Sequence, residues 1–521
     1  MTLQRFSWWS ALVILATVSM ALGQPGAGGK AGKEQPPKID DQKKDPKVEE
    51  IKFPSIPTLL DKESRPIDLT SALQLAGVQN PEIMLARERV VEAAALRQLA
   101  AAQFLPSINA GTSLDHHNGT LQQSNGNMLK VNRDSLYLGL GSSAVGAGTV
   151  NIPGIVWSGN ISTTIYQSLV SRQVVRQREF ASQATQNEVL LRVAQGYLEL
   201  LRAEGRRAIA TKNRAEALEV ARITANFASK GQGRQADADR AATELEQRNN
   251  DLLQAESDAL TSSARLSQLL GLNPAERLHP VDGWVVPRPI VPEPIPLPEL
   301  VTIALTQRSE LRERQAAIRA ALLELQNAKV LPFSPNVILG YSAGGFGGGS
   351  NLATEAVPPQ PRFTNLKDRQ DFDVVVFWSL RNLGVGNAAM IRLAQSNVRQ
   401  NELRNVEVLD RVRAEVVLAY ARTHVRYAQI ETNERAVQAS SKAYEQDYDR
   451  TKNGQGLPIE VLDSMRLLSR SRYSYLDSIV DYNRAHFDLY VALGQPPANT
   501  LARPVPSKLV PAPSSLVAPQ K

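Results

Sequence analysis

The chain has 521 residues, 42% hydrophobic and 5% aromatic, with no cysteine and a formal net charge of +7. The missing cysteine excludes disulfide scaffolds, thiolate metal sites, cysteine nucleophiles and lipid attachment through a thiol. Lys+Arg total 59 against 52 Asp+Glu, interleaved rather than clustered. The excess is therefore solvated surface and not the concentrated footprint that nucleic acid requires.

At the N-terminus Arg5 precedes an apolar run over 8–22, with Ala21-Leu22-Gly23 ahead of Gln24-Pro25. A basic start, an apolar stretch of about 15 residues and small residues at the cleavage point describe a signal peptide over 1–23. A spanning helix needs about 20. No later stretch approaches that length, so a membrane role has to use strands or surfaces. Residues 24–57, rich in Lys, Pro and Gly, read as a disordered leader.

A first unit covers 58–283. It opens with a helix over about 68–104, stopped by Leu105-Pro106, where proline lacks a donor and clashes with the preceding turn. Alternation at 108–114 and 157–165 predicts strands, the second aligning Trp157, Ile161 and Ile165 on one face. A long helix over about 167–229 follows, then a break at Gly231-Gln232-Gly233 and a return helix over 235–271. A Pro-rich strap at 284–298 favours extended structure. The second unit, 299–495, repeats the plan. A helix to about 330 stops at Leu331-Pro332, and strands lie at 337–343 and 371–380, where Phe372, Val374, Val376 and Trp378 share a face. A long helix over 386–452, a break at Gly454-Gln455-Gly456 and a return helix over 458–493 complete it, and a Pro-rich tail covers 496–521.

The units are in register. The Leu-Pro stops lie 226 residues apart, the Gly-Gln-Gly breaks 223, and Leu270-Gly271 and Leu493-Gly494 again 223, which is the mark of a duplication. In the second return helix Val461, Met465, Leu468, Arg472, Tyr475, Ile479, Tyr482, His486, Leu489 and Leu493 step alternately by four and three, a heptad seam for a coiled-coil hairpin. The two-faced strands suit an outer-membrane barrel or a hairpin on a soluble core. Two strands per unit make four per chain, too few to close a barrel, and an open edge in hydrocarbon leaves backbone groups unpaired. Three chains would supply twelve strands.

The tip Gly454-Gln455-Gly456-Leu457-Pro458-Ile459-Glu460-Val461-Leu462-Asp463 and its heptad helix, within the duplicated order of helices and strands, resemble the TolC family of outer-membrane efflux and secretion channels. The likeness covers about 68–273 and 298–494. It implies a mainly α fold with a β-barrel part: long coiled-coil hairpins forming an α-barrel, plus four transmembrane strands per chain completing a twelve-stranded barrel in a homotrimer. It also implies an outer-membrane site with the helices in the periplasm, and a periplasmic adaptor and inner-membrane pump as partners. Glu460 and Asp463 match the family's acidic entrance pair, with Asp237 opposite Glu460 in the first unit. The alternative reading of these acids is stabilisation of a helix N-terminus. The tips Gly231, Gln232, Gly233, Gly454, Gln455 and Gly456 match the adaptor-contacting turns. Where the family has a latching arginine and tyrosine, this chain has Gly456 and Thr451, so the latch is absent, moved, or replaced by Arg234 at the first tip.

No His-Glu-x-x-His, nucleophile elbow or phosphate loop occurs. His116-His117 sits in a strand or loop, His486 sits on the seam, and the glycines at 344–349 do not join a strand to a helix and read as a flexible hairpin loop. Neither an enzyme nor a cofactor or metal site is expected. A second class, an exported soluble coiled-coil protein with a structural or adhesive role, differs in what the faces at 157–165 and 371–380 meet.

Overall fold

Two pairs of long helices and one sheet account for most of the structure, a computed structural model that describes residues 64–497 except 147, 284, 293–294 and 351–365. The expected signal, the leader and all but the first two residues of the tail lie outside the described residues. Those described belong to one unit, Ser55–Lys521.

The first expected helix is two: α1 (Leu69–Gln79) and α2 (Pro81–Ala102), following a short β1 (Arg65–Ile67). Pro81 disfavours helical backbone at Asn80, which sits at φ −66, ψ 123. Asn80 then serves as the cap of α2, accepting from the Glu82 and Ile83 N–H groups at 2.9 and 3.3 Å. The second unit breaks likewise at Arg308, between α5 (Leu297–Gln307) and α6 (Ser309–Val330). The long helices are α3 (Ile161–Ser229) and α7 (Val385–Lys452), 69 and 68 residues, each about 100 Å long. They return as α4 (Gln235–Leu270) and α8 (Pro458–Ala492). β7 (Leu278–Pro280) pairs in parallel with β1.

The strands are β2 (Ser107–Ile108), β3 (Ala110–Gln122), β4 (Met128–Ser142), β5 (Ile152–Pro153), β6 (Ile155–Asn160), β8 (Asn336–Ser350) and β9 (Lys367–Phe377). They fill four lanes of one antiparallel sheet. β2 with β3 forms the first lane, β4 with β6 the second, β8 the third and β9 the fourth. The second lane is interrupted between 142 and 155, and β5 folds back to pair with the end of β4.

One expectation is corrected here. Ile161 and Ile165 lie in the first turns of α3 and not on a strand. A spacing of four fits one helical turn as well as two strand periods. The Asn160 side chain decides for the helix by accepting from the Thr163 N–H at 3.2 Å, while Ser162 N–H donates to Ser334 Oγ at 2.9 Å.

α3 packs against α2, α4, α6 and α8, and α7 against α5, α6 and α8. One core joins α1, α3, α4 and α8 through Leu73, Val193, Tyr197, Leu266, Leu270 and Phe487. A second joins α5, α7 and α8 through Leu300, Val412, Val416 and Leu489. Val461, Met465, Leu468, Ile479, Tyr482, His486 and Leu489 of the seam are all buried. The strap crosses α8, where Asn483 accepts from Arg288 N–H at 2.7 Å and donates to Val286 O at 2.9 Å.

His486 is 1% exposed and meets Tyr482 edge-on at 4.5 Å. Burial, with His424 adding a smaller push, lowers its pKa to about 4. The unfolded imidazole titrates near ~6.5, so below that pH the unfolded state binds the extra proton and folding loses free energy. The loss grows as pH falls from ~6.5 to ~4 and reaches roughly 3 kcal/mol. Denaturation across this window should therefore show wild-type stability dropping by that amount relative to His486→Phe, with the gap closed above pH ~7.

Candidate channel wall and hairpin tips

Cross-strand register sorts the sheet into two faces, since paired residues point the same way. Leu114 pairs with Leu136, Leu138 with Gly345, Trp157 with Leu339, and Leu339 with Val374. These, with Ile108, Phe372 and Val376, make an apolar face, and Phe372 is 71% exposed. The other face carries Ser113, Ser135, Ser342, Arg369, Asp371 and Asp373, with some apolar residues near the helices, among them Val375 and Phe377.

Two tryptophans mark where the sheet meets the helices. Trp157 Nε1–H donates to Gln103 O at 2.8 Å, and Trp378 Nε1–H to Phe333 O at 3.2 Å. Trp378 lies just past β9 and is 61% exposed. An apolar ring with its N–H anchored to backbone is the form tryptophan takes at a membrane–water boundary.

The sheet ends in open edges. Among the described residues β9 pairs only with β8, and β3 only with β4. The helical layer ends similarly. α7 exposes Leu393, Leu403, Leu418 and Val425, and α2 exposes Leu85, Val91 and Leu99.

The two tips have one backbone design. Gly231 and Gly454 have φ of +71 and +70, which glycine alone adopts freely. Gln232 and Gly233 N–H both donate to Phe227 O, and Gln455 and Gly456 N–H both to Arg450 O. The second glycine answers to a different need. A Cβ on Gly456 would sit 3.1 Å from Arg450 Cβ and Thr451 Oγ1, and one on Gly233 would sit 3.2 Å from Phe227 Cβ.

Of the acidic residues, Glu460 accepts from the Leu457 N–H at 3.3 Å, capping its own helix, and lies 3.8 Å from Arg450. Asp463 is exposed on the next turn. Asp237 is held within α4 by Arg240 at 3.1 Å, so the arginine that replaces Asp463 in the first unit neutralises its neighbour. Arg450 was not singled out from the sequence. Its signal was a cation closing a helix beside the next helix's first-turn acid.

Above the tips, ion pairs sew the hairpins together. Arg472 on α8 grips Glu216 at 2.6 Å and Asn213 at 2.8 Å, both on α3. Arg206 binds Asp477 at 2.7 Å, and Arg202 binds Asp481. Glu244 on α4 has a fully buried side chain, reached by Arg248 at 2.5 Å and by Arg466 of α8 at 2.7 Å. Glu204 takes Arg277 and Arg207, each at 2.7 Å. Its burial alone would raise the carboxyl pKa, but these hydrogen bonds outweigh burial and hold it below the usual range.

Solved outer-membrane channels share this fold. The chain aligns with CmeC of Campylobacter jejuni at TM-score 0.68 and 15% identity, covering 82% of this chain and 85% of that one. It aligns with OprN at TM-score 0.64 and 19% identity, covering 82% and 89%. For the open state of MtrE from Neisseria gonorrhoeae the TM-score is 0.59 and the identity 17%, again over 82% and 89%. The chain has the fold of the TolC-family outer-membrane channels. No family model matches the sequence, and no curated protein does.

Within this TolC-type fold the strand that sequence reading missed is β4, although Leu136, Leu138 and Leu140 alternate. Gly139 and Gly141, at φ +158 and +104, interrupt the pattern. The Glu244 pairing was also missed, because its partner Arg466 is 222 residues away.

Removing one member of a buried charge cluster leaves the others uncompensated. Glu244→Ala should lose about 3 kcal/mol of stability in denaturant titrations followed by helical circular dichroism, whereas exposed Asp463→Ala should lose under ~0.5 kcal/mol.

Proposed function

We propose that three copies of this chain form an outer-membrane channel that passes solutes or proteins from periplasm to exterior, as the exit duct of a tripartite efflux or type I secretion system. One observation carries the reading: a four-lane sheet with an exposed apolar face ends, among the described residues, in two strand edges without a partner. In hydrocarbon each unpaired backbone group costs several kcal/mol, so the edges must meet edges of other copies. Three copies give twelve lanes, a closed ring wide enough for a bore. The apolar outer sides of α2 and α7 supply matching helix contacts around the ring, and the contact is head-to-tail. Phe372, Val374, Val376 and Trp157 then face lipid, with Trp378 at its boundary and the helices in the periplasm.

In this arrangement the tips at 231–233 and 454–456 form the periplasmic end, where a periplasmic adaptor coupled to an inner-membrane pump docks. Nothing in the sequence binds nucleotide, so the driving force belongs to that pump. Glu460 and Asp463 lie three residues apart on one helical face. Three copies place six carboxylates at the entrance, with Asp237 beside them in the first hairpin, and such a ring favours cations. The fold neighbours are channels and not enzymes, which supports transport without chemistry of its own.

Detergent extraction should yield a heat-resistant trimer that conducts in planar bilayers, and a water-soluble monomer would overturn the reading. Neutralising Glu460 and Asp463 together should lower cation preference several-fold, measured by reversal potential. Gly233→Leu and Gly456→Leu should abolish efflux in cells while trimers persist. Unimpaired efflux in both variants would reject docking at the tips.

A further inference from the structure

Between β4 and β6 the chain leaves its lane, and its residues 143–146 and 148–154 fold back over the sheet, with β5 pairing to the end of β4. Four lanes hold it. From the first, Ser113 Oγ accepts the Ala144 N–H at 3.2 Å. From the second, Tyr137 is fully buried against Ala144 and Val150, with Phe346 of the third lane alongside. Ser342, also in the third lane, accepts the Gly154 N–H through its Oγ at 3.1 Å. From the fourth, the Arg369 guanidinium donates to Gly146 O at 3.1 Å and to Gly148 O.

All of these anchors lie on one face. Ser113 is paired with Tyr137, and Tyr137 with Phe346. Ser342 and Gly344 share that side of β8 and are paired with Asp371 and Arg369. This is the polar face, opposite Leu138, Leu339 and Phe372. β8 is built to accept the returning chain. A Cβ on Gly344 would lie 2.9 Å from the Tyr137 ring, and one on Gly340 would lie 3.1 Å from Pro153. Arg369 is itself fixed, 2.9 Å from Asp371 and stacked 4.9 Å over the Phe346 ring. A guanidinium has the fork needed to bind two carbonyls at once.

We propose that residues 143–146 and 148–151 form a fixed constriction on the inner wall of the barrel, with Arg369 as the positioning residue. The loop then sets the size of what passes. This rests on the reading that the polar face of the sheet lines the lumen of a twelve-stranded channel. Twelve strands spaced about 4.8 Å and tilted about 40° enclose a backbone radius near ~12 Å. A layer of small residues about 5 Å thick on each of three walls cuts the open cross-section to roughly a third. Ser143, Ala144, Gly146, Gly148 and Val150 make such a thin layer, without charge of its own. Ion selectivity at this level falls to Arg369, Asp371 and Asp373 around it.

Single-channel conductance of the purified full-length protein in planar bilayers tests the proposal. Arg369→Ala should raise conductance about two- to threefold and admit larger neutral polymers in a polymer-exclusion assay. Because the protein has no cysteine, Gly148→Cys provides a unique label, and the nearest atom to its new Cβ is Val145 O at 3.7 Å, an ordinary contact. A bulky water-soluble thiol reagent should then reduce conductance at least twofold in this variant and leave wild type unchanged. Normal wild-type conductance that neither variant alters would overturn the constriction alone. A wild-type protein that forms no channel would overturn the channel reading and the constriction with it. An Arg369→Ala protein that fails to assemble leaves the Gly148→Cys measurement to decide.

Discussion

The burial of α8 on two sides is the contact on which the helical layer depends. A surface helix normally hides one stripe, yet α8 presents Ile479, Tyr482 and Leu489 of its heptad seam to α7 and a second row, including Leu476, Val480 and Phe487, to the core shared with α3. Where the rows meet α3 with charge, acids and arginines are matched across the interface, as in Arg206 with Asp477 and Arg472 with Glu216. Helices of about 100 Å need such lateral support, because local propensity says nothing about which neighbour a helix takes. The buried Glu244 extends the same logic toward the tips, joining α4 to α8 through two arginines.

The sheet works by a different rule. In the proposed assembly its apolar face meets lipid, and the edges left open among the described residues meet further copies. The helical layer ends in the same unfinished way, with aliphatic rows along α2 and α7. The proposed trimer completes both layers by the same head-to-tail repetition. The tryptophans at the junction locate the boundary between layers, each using its one donor on a backbone carbonyl where a helix has just been stopped by a Leu-Pro pair.

The polar face is not left as a bare wall. Among the glycines of β8 and β4, which weaken a strand in general, Gly141 and Gly340 lie against residues 150–154 and Gly344 against the Tyr137 ring. Read from the sequence, the glycines at 344–349 resemble a flexible hairpin loop. In the structure they belong to β8, and the missing side chain of Gly344 makes room for the Tyr137 ring.

Several features were legible in the residue order because their causes are local. Helix periods, Leu-Pro stops, the Gly-Gln-Gly turns and the repeat near 223 residues each depend on neighbours within a turn or on comparison of the chain with itself. The heptad seam could be written down from α8 alone. Other features depend on partners far away in sequence. Ile161 and Ile165 fit a strand until Asn160 and Ser334 cap a helix there, and β4 gains its place from β3 and β8. Glu460 is an acid at a helix start whichever neighbours surround it, while Glu244 becomes buried only when Arg466 arrives from the other hairpin. The residue order determines where the chain turns and which period it follows; the register between strands, the identity of each ion-pair partner and the fold-back of residues 148–154 over the sheet were decided by tertiary packing, since each joins groups that no local pattern brings together.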